Sequence, residues 1–270
     1  MRVVLVMLAG GCYAATPPSG APCDPVTPNC PTGQVCIAGA TGFECLPEGT
    51  APVDAPNNDS VQALKPCPSD PGLLVCASFD APMLVMPVAN EGAIQFGAAF
   101  ANVSRVADAT GGGAGLFSAT SEMLFPANTQ LTGIVAIEAT VRLDAPIAAM
   151  TRAGVVDSDA STAGMSLFVF AGTTTPHRIR CAMGATDVFA DTTLAIGAWT
   201  TLACSCETGE TVVRRDSVVL ARGMGCNPAS AAANGVQVGQ NSRAGAMLPP
   251  NEQFVGAIDR VRLWTKLPPQ

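Results

Sequence analysis

A segment near the end of the chain, Phe254-Val-Gly-Ala-Ile-Asp-Arg-Val-Arg-Leu-Trp264, can do little other than form a strand. It is crowded with Val, Ile, Leu, Phe and Trp, whose branched or aromatic side chains suit a pleated surface. Pro249-Pro250 and Pro268-Pro269 bound it on either side. Its apolar positions change parity along the way. Phe254 and Ile258 are even and Val261 and Leu263 odd, so a strand of strict period two cannot aim all four at one core. A β-bulge near Asp259-Arg260 restores a common face.

Upstream the same pattern repeats. Leu73 to Phe79 is a compact apolar run ended by Asp80 and Pro82. Between Ile134 and Leu143 the alternation is clean: Val135, Ile137, Ala139, Val141 and Leu143 share one face, and Glu138, Thr140 and Arg142 the other. Ser166–Ala171, Arg178–Met183 and Trp199–Cys206 follow at sandwich-like spacing. Thr211–Arg215 and Val218–Ala221 flank the tight turn Asp216-Ser217, and Val236–Gln240 precedes the closing strand. No apolar period of helical length is present, and Gly and Pro are scattered throughout, so the chain from Pro66 onward is expected to be an all-β sandwich.

The cysteines give the address. Eleven of them against one histidine suit disulfides in an oxidising compartment and not a cytosolic zinc protein. Net charge is −7 with Lys65 and Lys266 the only lysines, and no basic stripe exists to neutralise phosphates, so nucleic acid is excluded as a partner. Mean hydropathy is +0.33, yet the most apolar run, Val3 to Ala9, falls far short of the roughly 20 residues a bilayer span needs.

Residues 1–12 read as a signal peptide. Arg2 precedes a short apolar core, then small residues, then Cys12, which resembles a bacterial lipoprotein signal with Cys12 as the lipidated residue. The alternative is a secretory signal cleaved near Ala14-Ala15, and both export the chain. Residues 13–22 are a Pro-, Ala-, Thr- and Gly-rich tether. Residues 23–45 hold Cys23, Cys30, Cys36 and Cys45 in a module too small to fold on apolar burial alone, so two cross-links are its main stabilisation. Four cysteines allow three connectivities, all open here. Residues 46–65 are a Pro-, Asp- and Asn-rich linker, and 66–270 form the β domain.

Several pieces of that domain, in order, resemble a laminin-G-like, concanavalin A-like jelly roll of two antiparallel sheets. Val75-Cys-Ala-Ser-Phe79-Asp80 resembles the family's opening strand, and Ile137-Glu-Ala-Thr-Val-Arg-Leu143 its I-E-x-W-V-[RK] strand, with Thr140 where tryptophan is common. Gly197-Ala-Trp199-Thr-Thr-Leu-Ala203, Gly235-Val-Gln-Val-Gly239 and the closing F-x-G-x-I-D-x-V-R-x-W are similar to further family strands, and Thr208-Gly209 falls at a family turn. The likeness spans Cys67 to Leu267. It implies that Trp199 and Trp264 serve the core, and that Asp80 and Asp259, on neighbouring first and last strands, are candidate Ca²⁺ ligands through their oxygens. Asp157 and Asp159 are a weaker candidate.

The fold hosts lectins, adhesins, glycosidases and structural modules alike, so function must come from side chains. His177 follows Thr-Thr-Pro and reads as a solvated loop residue, which leaves no base for a Ser or Cys nucleophile. The Glu-x-Asp-x-x-Glu triplet that glycosidases of this fold use is absent, Thr140 standing two residues after Glu138. Aromatics are 5% of the chain and the phenylalanines sit in apolar strand contexts, so they are assigned to the core and an aromatic sugar cleft is disfavoured. The remaining cysteines are structural: Cys204 and Cys206, two apart on one strand face, cannot both serve Cys181, so Cys226 is a natural second partner, and Cys67 and Cys76 clip the start of the domain. The expected protein is a non-catalytic surface module, anchored to the membrane by lipid alone, that recognises an extracellular glycan or surface protein. The alternatives are a glycan-active enzyme and a ligand-free envelope scaffold.

Overall fold

The computed structural model describes residues 21–22, 30, 32–39, 42–47, 67–80, 84, 86–94, 96–109, 112–158, 163–172, 176–184, 186–241 and 252–268, with backbone alone for 21–22, 35–39, 42–44 and 46–47. The signal segment with Cys12, Cys23 and the side chain of Cys36 lie outside the described residues, as does Asp159. The chain divides into two compact units, Met1–Gln62 and Ala63–Gln270.

In the first unit β1 (Ala21–Pro22), β3 (Gly42–Pro47) and β2 (Gln34–Gly39) form a small antiparallel sheet, in the order β1-β3-β2. A disulfide joins Cys30 to Cys45. With so little apolar surface to bury, that cross-link constrains the unfolded chain by about 2–4 kcal/mol.

The second unit is all strand among its described elements: β4 (Leu73–Ala77), β5 (Ala99–Ala101), β6 (Ser104–Ala107), β7 (Gly113–Phe117), β8 (Glu122–Phe125), β9 (Ala136–Leu143), β10 (Arg152–Asp157), β11 (Met165–Ala171), β12 (His177–Met183), β13 (Thr186–Thr192), β14 (Trp199–Glu207), β15 (Glu210–Arg215), β16 (Val218–Met224), β17 (Val236–Val238) and β18 (Gly256–Trp264). A seven-stranded sheet runs β13-β12-β11-β10-β17-β8-β5. An eight-stranded sheet runs β16-β15-β14-β9-β18-β7-β6, with β4 pairing the second half of β18. Strands β8, β9 and β10 alternate between the two sheets, and every pairing is antiparallel, so each sheet turns one apolar face to its partner and one face outward.

The inward faces interdigitate as one core. Val141 and Leu143 of β9, Leu167 and Val169 of β11, Ile179 of β12 and Ile258, Val261 and Leu263 of β18 are all essentially inaccessible within it. β18 reaches that arrangement through the bulge its parity requires: its register against β9 slips between Asp259 and Arg262, and Arg260 takes a left-handed φ of 49°. The slip is what lets Ile258 and Val261 point the same way.

Covalent ties cross this architecture. Cys181 on β12 bonds Cys204 on β14, joining the two sheets through the core, while Cys206 bonds Cys226 and Cys67 bonds Cys76. Disulfides of this density belong to exported proteins. The hairpin turns Thr208-Gly209 and Asp216-Ser217 all carry positive φ, the type I′ geometry whose twist matches the flanking strands.

Candidate functional site

The outer face of the seven-stranded sheet is built by four neighbouring strands. Register fixes which residues share it. Arg152 on β10 faces Phe170 on β11, then Arg178 on β12 and Asp191 on β13. The next row is Gly154, Phe168, Arg180 and Phe189, and the one beyond is Asp157, Ser166, Ala182 and Asp187. Because side chains alternate along each strand, these residues point away from the core that Leu167, Val169 and Ile179 fill.

Aromatic and cationic groups on this face are stacked on one another. Phe168 and Phe170 have ring centroids 6.3 Å apart, and Phe170 and Phe189 meet edge-to-face at 6.0 Å. The Arg152 guanidinium lies 4.6 Å from the Phe168 centroid and 5.8 Å from Phe170, with Arg180 5.8 Å from Phe168 and Arg178 5.9 Å from Phe189. Ring faces carry partial negative charge and attract the cations. Each arginine is also held by a carboxylate. Arg152 donates Nε and Nη2 to Glu252 at 3.0 and 2.8 Å, Arg178 Nε donates to Asp191 at 2.6 Å, and Arg180 Nη2 donates to both oxygens of Asp187 at 2.8 and 3.0 Å. Asn241 donates to the other oxygen of Glu252 and fixes it from behind. The Arg178 guanidinium rises above its ordinary pKa, the Asp191 hydrogen bond being the main cause.

One glycine makes room for this arrangement. A Cβ at Gly154 would stand 2.5 Å from the Gln240 carbonyl carbon, so only glycine lets the 240–241 backbone cross β10 there and deliver Asn241 to Glu252. Two polar atoms beside the crossing, Ser166 Oγ and Gln240 Oε1, are buried without a hydrogen-bond partner. Phe189 is 46% exposed and Phe168 1%, so the rings run from a buried footing to an accessible edge. Such a face offers paired donors and acceptors around an apolar ring, the set a polyhydroxylated ligand needs.

Sequence reasoning assigned the phenylalanines to the core. For Phe170 and Phe189 that is corrected: their strand positions have the outward parity and their rings reach the surface, while Phe168 of the same parity is fully buried beneath them. The signal lies in Phe168-Val-Phe170 against Ile179 and Cys181, but β13 has mixed polarity that the sequence alone does not mark as a strand, and Arg152 carries no strand signal of its own. Trp199 is likewise half-buried on the outer face of the other sheet, with Arg142 5.2 Å from its ring, whereas Trp264 packs at 2% exposure with Leu73, Cys76 and Ala136. His177 is not a solvated loop residue. It opens β12 at 3% exposure, its Nδ1 accepts the Leu194 N–H at 3.2 Å, and burial lowers its pKa, keeping the imidazole neutral. Asp157 ends β10 and is buried, and Glu138 is committed to Arg262.

The structure brings Asp80 and Asp259 into one neighbourhood with Asp108. The cation among them is Arg260, whose Nη2 lies 3.8 Å from Asp80 and 3.9 Å from Asp108 while Nε is 3.7 Å from Asp259. Asp80 and Asp108 also accept the backbone N–H groups of Gly113 and Gly112 at 3.0 and 2.7 Å. Asp259 is fully buried, and burial pushes its pKa up to about 7 against the pull of Arg260. Among the described residues no three His, Cys, Asp or Glu side chains are grouped to hold a metal. As placed, the Arg260 guanidinium supplies the positive charge among these three carboxyls.

No protein-family model matches the chain, and no curated protein matches it in sequence. Solved structures do match in shape. Domain 4 of AbnA, a GH43 extracellular arabinanase from Geobacillus stearothermophilus solved with arabinotriose, superposes with a TM-score of 0.53 at 16% identity, covering 71% of this chain and 91% of that one. The Trypanosoma rangeli sialidase in complex with sialic acid gives 0.51 at 14% identity, over 73% of this chain and 31% of its own. The fold is an antiparallel jelly-roll sandwich. At such identities the likeness speaks for the fold alone, and the Arg–Phe face is a property of this chain's own residues.

Proposed function

We propose that the chain is an exported, non-catalytic recognition module whose sandwich binds a glycan on the outer face of the seven-stranded sheet. The observation that carries this reading is the set of carboxylate-held guanidiniums, Arg152, Arg178 and Arg180, laid against Phe168, Phe170 and Phe189. The arabinanase domain solved with arabinotriose supports the reading, because a domain of similar fold was solved with a sugar chain. His177 is buried and bonded, and the Asp–Arg and Glu–Arg pairs use their carboxylates structurally, which favours binding over turnover. A lipid on Cys12 would hold the module at the cell surface. With Arg260 supplying the positive charge beside Asp80 and Asp259, recognition needs no calcium.

The test is a glycan array probed with the full chain, with calcium and with EDTA, beside the double variant Arg178→Ala/Arg180→Ala. Glycan binding that the double variant loses and EDTA leaves intact is the expected result. No binding to any glycan overturns the reading in favour of a scaffold, and release of shortened sugars overturns the non-catalytic part.

A further inference from the structure

We infer that the ligand is an uncharged oligosaccharide lying along β13; this rests on the recognition reading above and names the class of glycan. β13 is the edge strand of its sheet, and its outward residues Asp187, Phe189 and Asp191 are all exposed. The accessible ring therefore sits between two carboxylates, and each carboxylate carries its own arginine: Arg180 on Asp187 and Arg178 on Asp191. From Asp187 to Asp191 the strand rises about 13 Å, enough for more than one sugar unit.

Charge decides the class. Every guanidinium on this face is already neutralised by a carboxylate at 2.6 to 2.8 Å, so no net positive potential is left for an anion. Asp187 and Asp191 are 45% and 33% exposed as side chains, and an acidic sugar laid on Phe189 would face both of them on a chain of net charge −7. A neutral sugar meets no such penalty. Arg178 spends Nε and Nη2 on Asp191, and Arg180 spends Nη2 on Asp187, so each pair sets N–H donors beside a carboxylate. Adjacent sugar hydroxyls, each both donor and acceptor, match that combination, while the C–H face of the ring covers Phe189.

The discriminating experiment measures the full chain and two variants, Asp187→Ala and Asp191→Ala, against neutral hexose and pentose oligosaccharides and against uronate-, sialate- and sulfate-bearing ones. Melting temperature controls for folding, which exposed positions leave nearly unchanged. A neutral ligand predicts binding that changes less than about threefold between low and high salt, since no ion pair is screened. It also predicts affinity lowered about tenfold in each variant, because a charge-assisted acceptor is gone. Binding confined to acidic glycans, steeply weakened by salt and tightened in the two variants, overturns this inference and leaves glycan recognition standing. Absence of binding to both classes overturns the recognition reading itself.

Discussion

The two outward faces of the sandwich use the same chemical groups to different ends. On the eight-stranded sheet, Arg214 donates to both oxygens of Glu207, Ser205 Oγ adds a bond at 2.5 Å, and the Arg214 and Glu207 side chains are only 14% and 11% exposed. Thr140 and Thr201 share a hydroxyl bond at 3.1 Å beside it, and Glu138 meets Arg262. Nearer the edges of that sheet Arg222 pairs with Glu210 and Arg142 with Asp144, both partly open. On the seven-stranded sheet the pairs lie over phenyl rings and stay open, Asp187 at 45%. The Arg214–Glu207 pair is closed in by Ser205, whereas the pairs propped on the phenyl rings hold donors and acceptors at the surface.

The largest effect that can break this contrast is on stability. The Arg214 hydrogen bond, ahead of the opposing cost of burial, holds the Glu207 carboxyl below its ordinary pKa. Arg214→Met strands that carboxylate and is expected to cost about 2–3 kcal/mol, somewhat less than a fully buried pair, read by urea unfolding. Arg180→Met, across the molecule, is expected to cost about 1 kcal/mol or less. Equal losses would mean that both faces serve stability and that the open one has no separate purpose.

A second prediction sets two carboxyls of the closed face against each other by pH. Asp259, on the eight-stranded sheet, has its pKa raised from 3.8 to about 7, chiefly by burial. The folded chain then keeps a proton that the unfolded chain has given up, so stability from this group falls as pH rises from about 4 to about 7 and levels off above. Glu207 has the opposite sign: its lowered pKa adds stability at neutral pH that is lost on acidification. Asp259→Asn should flatten the decline between about pH 4 and 7 relative to the parent chain, followed as melting temperature. A variant with the parent's slope would show that Asp259 is charged throughout, as a calcium ion beside it would make it.

What the sequence could say about this contrast follows from how strongly each strand is marked. β9 and β18 are legible because their inward residues are large and their alternation long, and even the bulge at Asp259 was implied by parity. β13 carries Thr-Asp-Val-Phe-Ala-Asp-Thr, whose inward residues Val188 and Ala190 bury little, so its period competes poorly with a loop. β10 begins at Arg152 and is broken by Gly154, with a register shift before Val156. The candidate site stands on these two weakly marked strands and the pair between them. Its residues were visible one by one, but their convergence depends on registers that only the folded sheet supplies. The same holds for Arg260: nothing local to Asp80 or Asp108 announces that a bulge on the last strand will aim a guanidinium at both.

Binding variants sharpen the contrast further. Phe189→Ala removes the accessible ring at the sheet edge, and since the ring is 46% exposed the fold loses little. Affinity for the bound glycan is expected to drop about tenfold, roughly 1.4 kcal/mol, at nearly constant melting temperature. Trp199→Ala on the other face should leave affinity unchanged. A ring-to-alanine change at Trp199 that weakened binding as much would move the site to the eight-stranded sheet.

The smallest effect is the most diagnostic of how the open face works. Arg178→Lys keeps the positive charge opposite Asp191 but replaces a planar, forked donor with a point charge, which can neither bond both carboxylate oxygens in parallel nor lie flat against Phe189. If the arginine mattered only as a counter-charge, the lysine variant would bind like the parent. If its plane orients Asp191 and leaves Nη1 directed at the ligand, affinity should fall a few-fold, with stability unchanged because the pair is exposed. Titration of the neutral glycan by calorimetry resolves a change of that size. The same exchange at Arg214 would show up in unfolding and not in binding, since there the fork closes on Glu207 and presents nothing outward.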